Sequence, residues 1–198
     1  MPGTIRSRRL VLKGMPVRES AVVYADSRGW ELVSYREADP LEGVAEELMW
    51  RAADGIYFYY TVENASGAGC IGLIGKGVEL PEGVQEALEA DFDVWTVTEL
   101  LAAVDGSDSP REYAAAVLRA ALGAPVEFAQ EFFARITDAM RHPDFMVRDI
   151  AVSAVAYPAW AQFRPVLREV AGNDSAERVR DNAARILASF NRVGVPEE

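Results

Sequence analysis

The chain has 198 residues, half of them hydrophobic, with 31 acidic against 20 basic side chains and a net charge of −11. This length supports one large domain or two small ones with a real core, no apolar run approaches the roughly 18 residues of a membrane span, and an acidic balance disfavours nucleic acid and anionic membrane while favouring basic partners. Cys70 is the sole cysteine, which excludes an internal disulfide, and the Arg6, Arg8, Arg9 and Lys13 region is no convincing signal segment, so a cytoplasmic protein is expected.

In chain order, Ala21-Val22-Val23-Tyr24 and Trp30 to Tyr35 read as two strands joined by an Asp26-Ser27-Arg28-Gly29 hairpin loop. Asp39-Pro40 breaks the chain. Over residues 41–51, Leu41, Val44, Ala45, Leu48 and Met49 follow the spacing of a one-sided helix. Ile56 to Val62 is rich in aromatic and β-branched residues and reads as a strand. Glu63 to Gly69 then forms a turn, Cys70 to Ile74 a further strand, and residues 81–90 a short helix from Pro81. Residues 1–95 are thus expected to form a small α+β unit: a short antiparallel sheet plus a helix. Residues 37–108 hold 16 acidic side chains against Arg51 and Lys76 alone.

From Thr96 onward the pattern is helical. Thr96 and Glu99 have the spacing of a capping box, and Ser109-Pro110-Arg111-Glu112 repeats it with proline at the first helical position. Gly123 ends that helix. Ala129, Phe132, Phe133, Ile136 and Met140 mark the next, and Val147, Ile150, Ala151, Ala154 and Val155 the one after. Trp160, Phe163, Pro165, Leu167 and Val170 precede Asp174, and Val179, Arg180, Ala183 and Leu187 follow it. Three helix pairs result, at about 96–122, 126–157 and 160–190. Their turns align: Asp105, His142 and Asp174 each stand five residues before Pro110-Arg111, Val147-Arg148 and Val179-Arg180. Helix pairs repeated at such spacing stack because none buries its face alone.

At these residues the chain resembles HEAT and armadillo-type α-solenoid repeats, most closely in the third pair with Pro165, Asp174 and Val179-Arg180. The resemblance implies an all-α three-repeat solenoid over residues 96–192 following the α+β unit over 1–95. It implies a binding surface for a protein partner rather than a catalytic centre, although fold alone does not fix function. It also implies that Arg148 and Arg180 bond turn aspartates across repeats. The second helices of such stacks line the inner face, which makes Asp149, Ser153, Asp181 and Arg185 the expected partner-binding positions.

No motif carries chemistry as clearly. Gly67-Ala68-Gly69-Cys70-Ile71-Gly72 has dinucleotide-binding spacing, but Gly75, Gly77 and Pro81 oppose the helix that must follow, so a glycine hairpin is expected. A Cys70–His142 dyad would need two residues from different parts of the chain. The carboxylates suit helix starts and solvated faces, and a usual zinc site needs more Cys or His. No catalytic residue, cofactor or metal is therefore assigned. The expected function is a non-enzymatic binding module, an adaptor or a toxin-neutralising immunity-type protein, with a basic protein partner and an oligomeric state left open. The alternative is an enzyme on a helical-repeat scaffold, glycosylase-like or lyase-like, which the acidity and the missing motif disfavour.

Overall fold

A computed structural model of the chain describes residues 3–14, 18–39, 44–64 and 66–197. The chain divides into two compact units, Met1–Trp95 and Thr96–Glu198. Its architecture is mixed α+β, with a six-stranded antiparallel sheet and eight helices among the described residues.

The first unit holds β1 (Thr4–Arg6), β2 (Leu10–Val11), α1 (Arg18–Ser27), β3 (Glu31–Arg36), β4 (Glu47–Ala53), β5 (Ile56–Val62), β6 (Gly69–Lys76) and α2 (Val84–Asp91). The strand order is β1-β6-β5-β4-β3, with β2 also paired to β6. Alternation along β5 sends Phe58 and Tyr60 into a core with Leu48, Trp50, Ile71 and Leu73. Ala21 and Ala25 of α1 and Leu88 of α2 close that core. Phe58 sits at its centre, with the rings of Tyr24, Trp30 and Trp50 each 5.5 Å away. Arg8 anchors α2 through Glu89 at 2.8 Å.

Two elements differ from the sequence pattern. Ala21–Tyr24 lies in helix α1, not in a strand, and Asp26–Gly29 ends that helix rather than turning a hairpin. The deciding feature is the small pair Ala21 and Ala25, one helical turn apart and both buried, while the β-branched Val23 is 65% exposed. Residues 47–51 of the expected helix over 41–51 lie in strand β4, which runs on to Ala53. Leu48 and Trp50 are buried at a spacing of two, and their register against Tyr60 and Phe58 outweighs the helical spacing. Leu41 and Pro40 lie outside the described residues.

The glycine cluster is sheet and turn. Residues from Gly69 onward belong to β6, and the helix that follows begins only at Val84. Gly72 stands opposite Tyr59, where a Cβ would lie 2.7 Å from the tyrosine hydroxyl oxygen. Glycine here makes room for a ring that is itself buried.

The second unit holds α3 (Val97–Asp105), α4 (Pro110–Leu122), α5 (Gln130–Ala139), α6 (Phe145–Ala154), α7 (Phe163–Asn173) and α8 (Glu177–Val193). Thr96 and Glu99 form the full capping box, and Ser109 caps α4 ahead of Pro110. The Asp144 carboxylate accepts the Met146 N–H to cap α6. Helix α4 packs on α3, α5 and α6, and α6 packs on α8, which pairs with α7. Val117, Phe132, Ile136, Val147, Ala151, Phe163, Leu167, Val179, Ala183 and Phe190 are buried.

Candidate functional site

The exposed faces of α6 and α8 form a shallow cavity of about 430 Å³ lined by Asp149, Ser153, Arg178, Asp181, Asn182 and Arg185. The four positions expected from the sequence therefore line one surface. Arg178 and Asn182 were not expected. Their signal was available, because residues 178, 181, 182 and 185 share one face of a 3.6-residue helix.

Asn182 organises the floor. Its buried Nδ2 lies 2.7 Å from Asp149 Oδ1, 2.8 Å from Ser153 Oγ and 3.0 Å from the Asp149 carbonyl. Arg185 Nη2 donates to Asn182 Oδ1 at 2.6 Å, and Arg178 Nε donates to Asp149 Oδ2 at 2.7 Å. The nearly buried Asp149 carboxylate is thus held on both oxygens. A buried polar network of this kind fixes side-chain positions when its members are satisfied. Asp181 is exposed and makes no ion pair among the described residues. The rim carries two guanidinium groups, Arg178 and Arg185, and one carboxylate, Asp181.

Beside this groove, Arg148 ties two helix pairs together. Its Nε and Nη2 donate to the two oxygens of Asp174 at 2.7 and 2.9 Å. Its Nη1 donates to the carbonyls of His142 and Pro143 at 2.8 and 3.0 Å. The Asp174 carboxyl is held below its usual range, chiefly by the Arg148 hydrogen bond, with the Ala176 N–H adding to it. Arg180 does not bond an aspartate side chain; its Nη1 donates to the backbone carbonyl of Asp174 at 2.6 Å. Arg135 Nε donates to Asp105 at 2.8 Å, an exchange between the first turn and the second pair that the sequence pattern did not single out.

The surroundings of Cys70 and His142 differ. Cys70 is fully buried in β6, and burial pushes its thiol up to about 12, so it stays protonated near neutral pH. His142 accepts the Asp144 N–H on Nδ1 at 3.0 Å and lies 5.6 Å from the Tyr113 ring. Among the described residues no cluster of three or more His, Cys, Asp or Glu could hold a metal ion, and no helix is long and apolar enough to cross a membrane.

No protein-family model, curated protein or solved structure was found to match this chain significantly.

Proposed function

We propose that residues 96–192 are a three-repeat HEAT-like stack and that its α6–α8 groove binds a protein partner of basic character, making the chain a non-enzymatic binding module. The observation that carries this reading is the gathering of Asp149, Ser153, Asp181 and Arg185 with Arg178 and Asn182 on one surface. Repeated local geometry supports the stack. Arg148 and Arg180 each donate Nη1 to the carbonyl of the turn residue six positions earlier, His142 and Asp174. The packing of α4 on α6 and of α6 on α8 follows the order expected of second helices in successive repeats.

The groove itself carries two positive and two negative side chains, so it selects by geometry more than by sign. The partner's basic character follows from the net charge of −11, whose field attracts cations over distance. The test is affinity capture from the native host with the unaltered protein, the double variant Asp181→Arg/Arg185→Glu, and the control Arg141→Glu. A stoichiometric protein partner is expected on the unaltered protein and the control, with loss on the groove variant. Its association rate should fall as salt rises. Equal retention by the groove variant, or a co-purifying small molecule in place of a protein, contradicts the reading.

A further inference from the structure

Strand β3 ends the sheet. Among the described residues no strand pairs with its outer edge. Five of its six residues are exposed, and Leu32 and Tyr35 are 48% and 47% exposed respectively. Sheet edges of natural proteins are normally blunted by charge, proline or bulges, because open N–H and C=O groups template further pairing. This strand has no proline, its charges stand only at its two ends, as Glu31 and Arg36, and its one bulge lies at its centre.

A bulge decides which faces those charges occupy. Glu31 pairs with Arg51 and Leu32 with Trp50, but Ser34 pairs with Met49, Tyr35 with Leu48 and Arg36 with Glu47. Val33 is the extra residue. In an unbroken strand residues 31 and 36 would fall on opposite faces, being an odd number apart. With the bulge, Glu31 and Arg36 share the face of Arg51 and Glu47, while Leu32 and Tyr35 share the core-side face of Trp50 and Leu48. The strand is then complementary to itself when reversed.

We infer that β3 is a self-recognition edge: two copies of the chain pair β3 against β3, antiparallel, about a two-fold axis between Val33 and Ser34. That register sets Glu31 against the second copy's Arg36 and Leu32 against the second copy's Tyr35, each twice by symmetry. The opposite ends attract only in this reversed sense; the parallel alignment sets like charges together. Both residues already form cross-strand ion pairs, Glu31 with Arg51 at 3.3 Å and Arg36 with Glu47 at 3.4 Å, so the new contacts extend an exposed ladder of alternating sign. Six residues of edge pairing bury less than the roughly 1,000 Å² of a stable interface, so the dimer is weak and concentration-dependent. The inference concerns the first unit alone and stands independently of the groove on α6 and α8.

Sedimentation velocity of the full chain at low salt tests it with E31R, R36E and their equimolar mixture. The unaltered protein should dimerise with rising concentration. Each reversal converts two attractive contacts into repulsive ones and should weaken dimerisation about tenfold or more. The mixture should regain it, because in a heterodimer the introduced arginine faces the introduced glutamate and the two unaltered residues face each other. A protein that stays monomeric up to about 1 mM, a reversal that dimerises like the unaltered chain, or folded variants whose mixture fails to recover, overturns the proposal. Should a reversal disturb the β3–β4 hairpin, disulfide trapping reads the same register. Mixed L32C and Y35C chains should crosslink to each other and neither to itself, and absence of the mixed crosslink equally overturns it.

Discussion

Arg148 divides its guanidinium between the turn of its own helix pair and the aspartate of the next. Replacing it by alanine leaves the Asp174 carboxylate, whose side chain is 6% exposed, with the Ala176 N–H as its remaining donor. Stranding one member of a largely buried pair costs about 3 kcal/mol, so Arg148→Ala should lower unfolding stability by that order in urea titration. The pH dependence has a definite sign. The folded Asp174 pKa lies below its unfolded value, so its contribution is complete above the unfolded pKa of about 4 and is lost as pH falls through the folded one. Stability measured between neutral pH and pH ~3 should fall more steeply in the unaltered protein than in Arg148→Ala. Identical acid limbs would show that the pair contributes nothing. At this scale the sequence carried Asp149, Ser153, Asp181 and Arg185 only through the resemblance. Asn182, which orders them, shares the helix face of Asp181 and Arg185, but that spacing does not tell a buried hydrogen-bonding amide from a solvated one.

The C-terminal segment after α8 is an element without regular structure, and Arg164 of α7 holds it. Arg164 is 2% exposed, and it donates from Nε to the Pro196 carbonyl and from Nη2 to the Val195 carbonyl, both at 2.7 Å, with Nη1 on Asn191 Oδ1 at 2.8 Å. Glu197 pairs with both Arg164 and Arg168. Deleting residues 195–198 removes both carbonyl acceptors and the Glu197 carboxylate, leaves the guanidinium with Asn191 Oδ1 alone among these partners, and should cost about 3 kcal/mol. Arg164→Met made in the truncated chain should recover part of that loss, because it removes a charge that has lost most of its partners. Neutral truncation in denaturant titration would contradict this account.

The same scale shows where pattern reading works. Helices α3 to α8 were legible because their apolar spacing extends over whole turns, with side-chain caps also marking α3 and α4. Helix α1 and strand β4 were not, since each is a short apolar run compatible with both periods. Their state is settled by distant partners, the sheet under Ala21 and Ala25 and the β5 register of Trp50.

For the whole molecule, acidity and repeat spacing are what the proposed class of function rests on, because net charge and periodicity are properties of the chain. The mixed α+β architecture was legible in the same way, whereas the sheet's six-strand order was not, because it depends on pairings such as β1 and β2 with β6 across some sixty residues. The central claim is that the surface of α6 and α8, rather than a reactive side chain, is the working part. Amide hydrogen exchange of the full chain, alone and with the captured partner, tests it most directly. The account predicts added protection concentrated in peptides spanning residues 145–155 and 177–190, with residues 56–76 unchanged. Protection confined to the β5–β6 hairpin, with α6 and α8 exchanging as in the free protein, would contradict it.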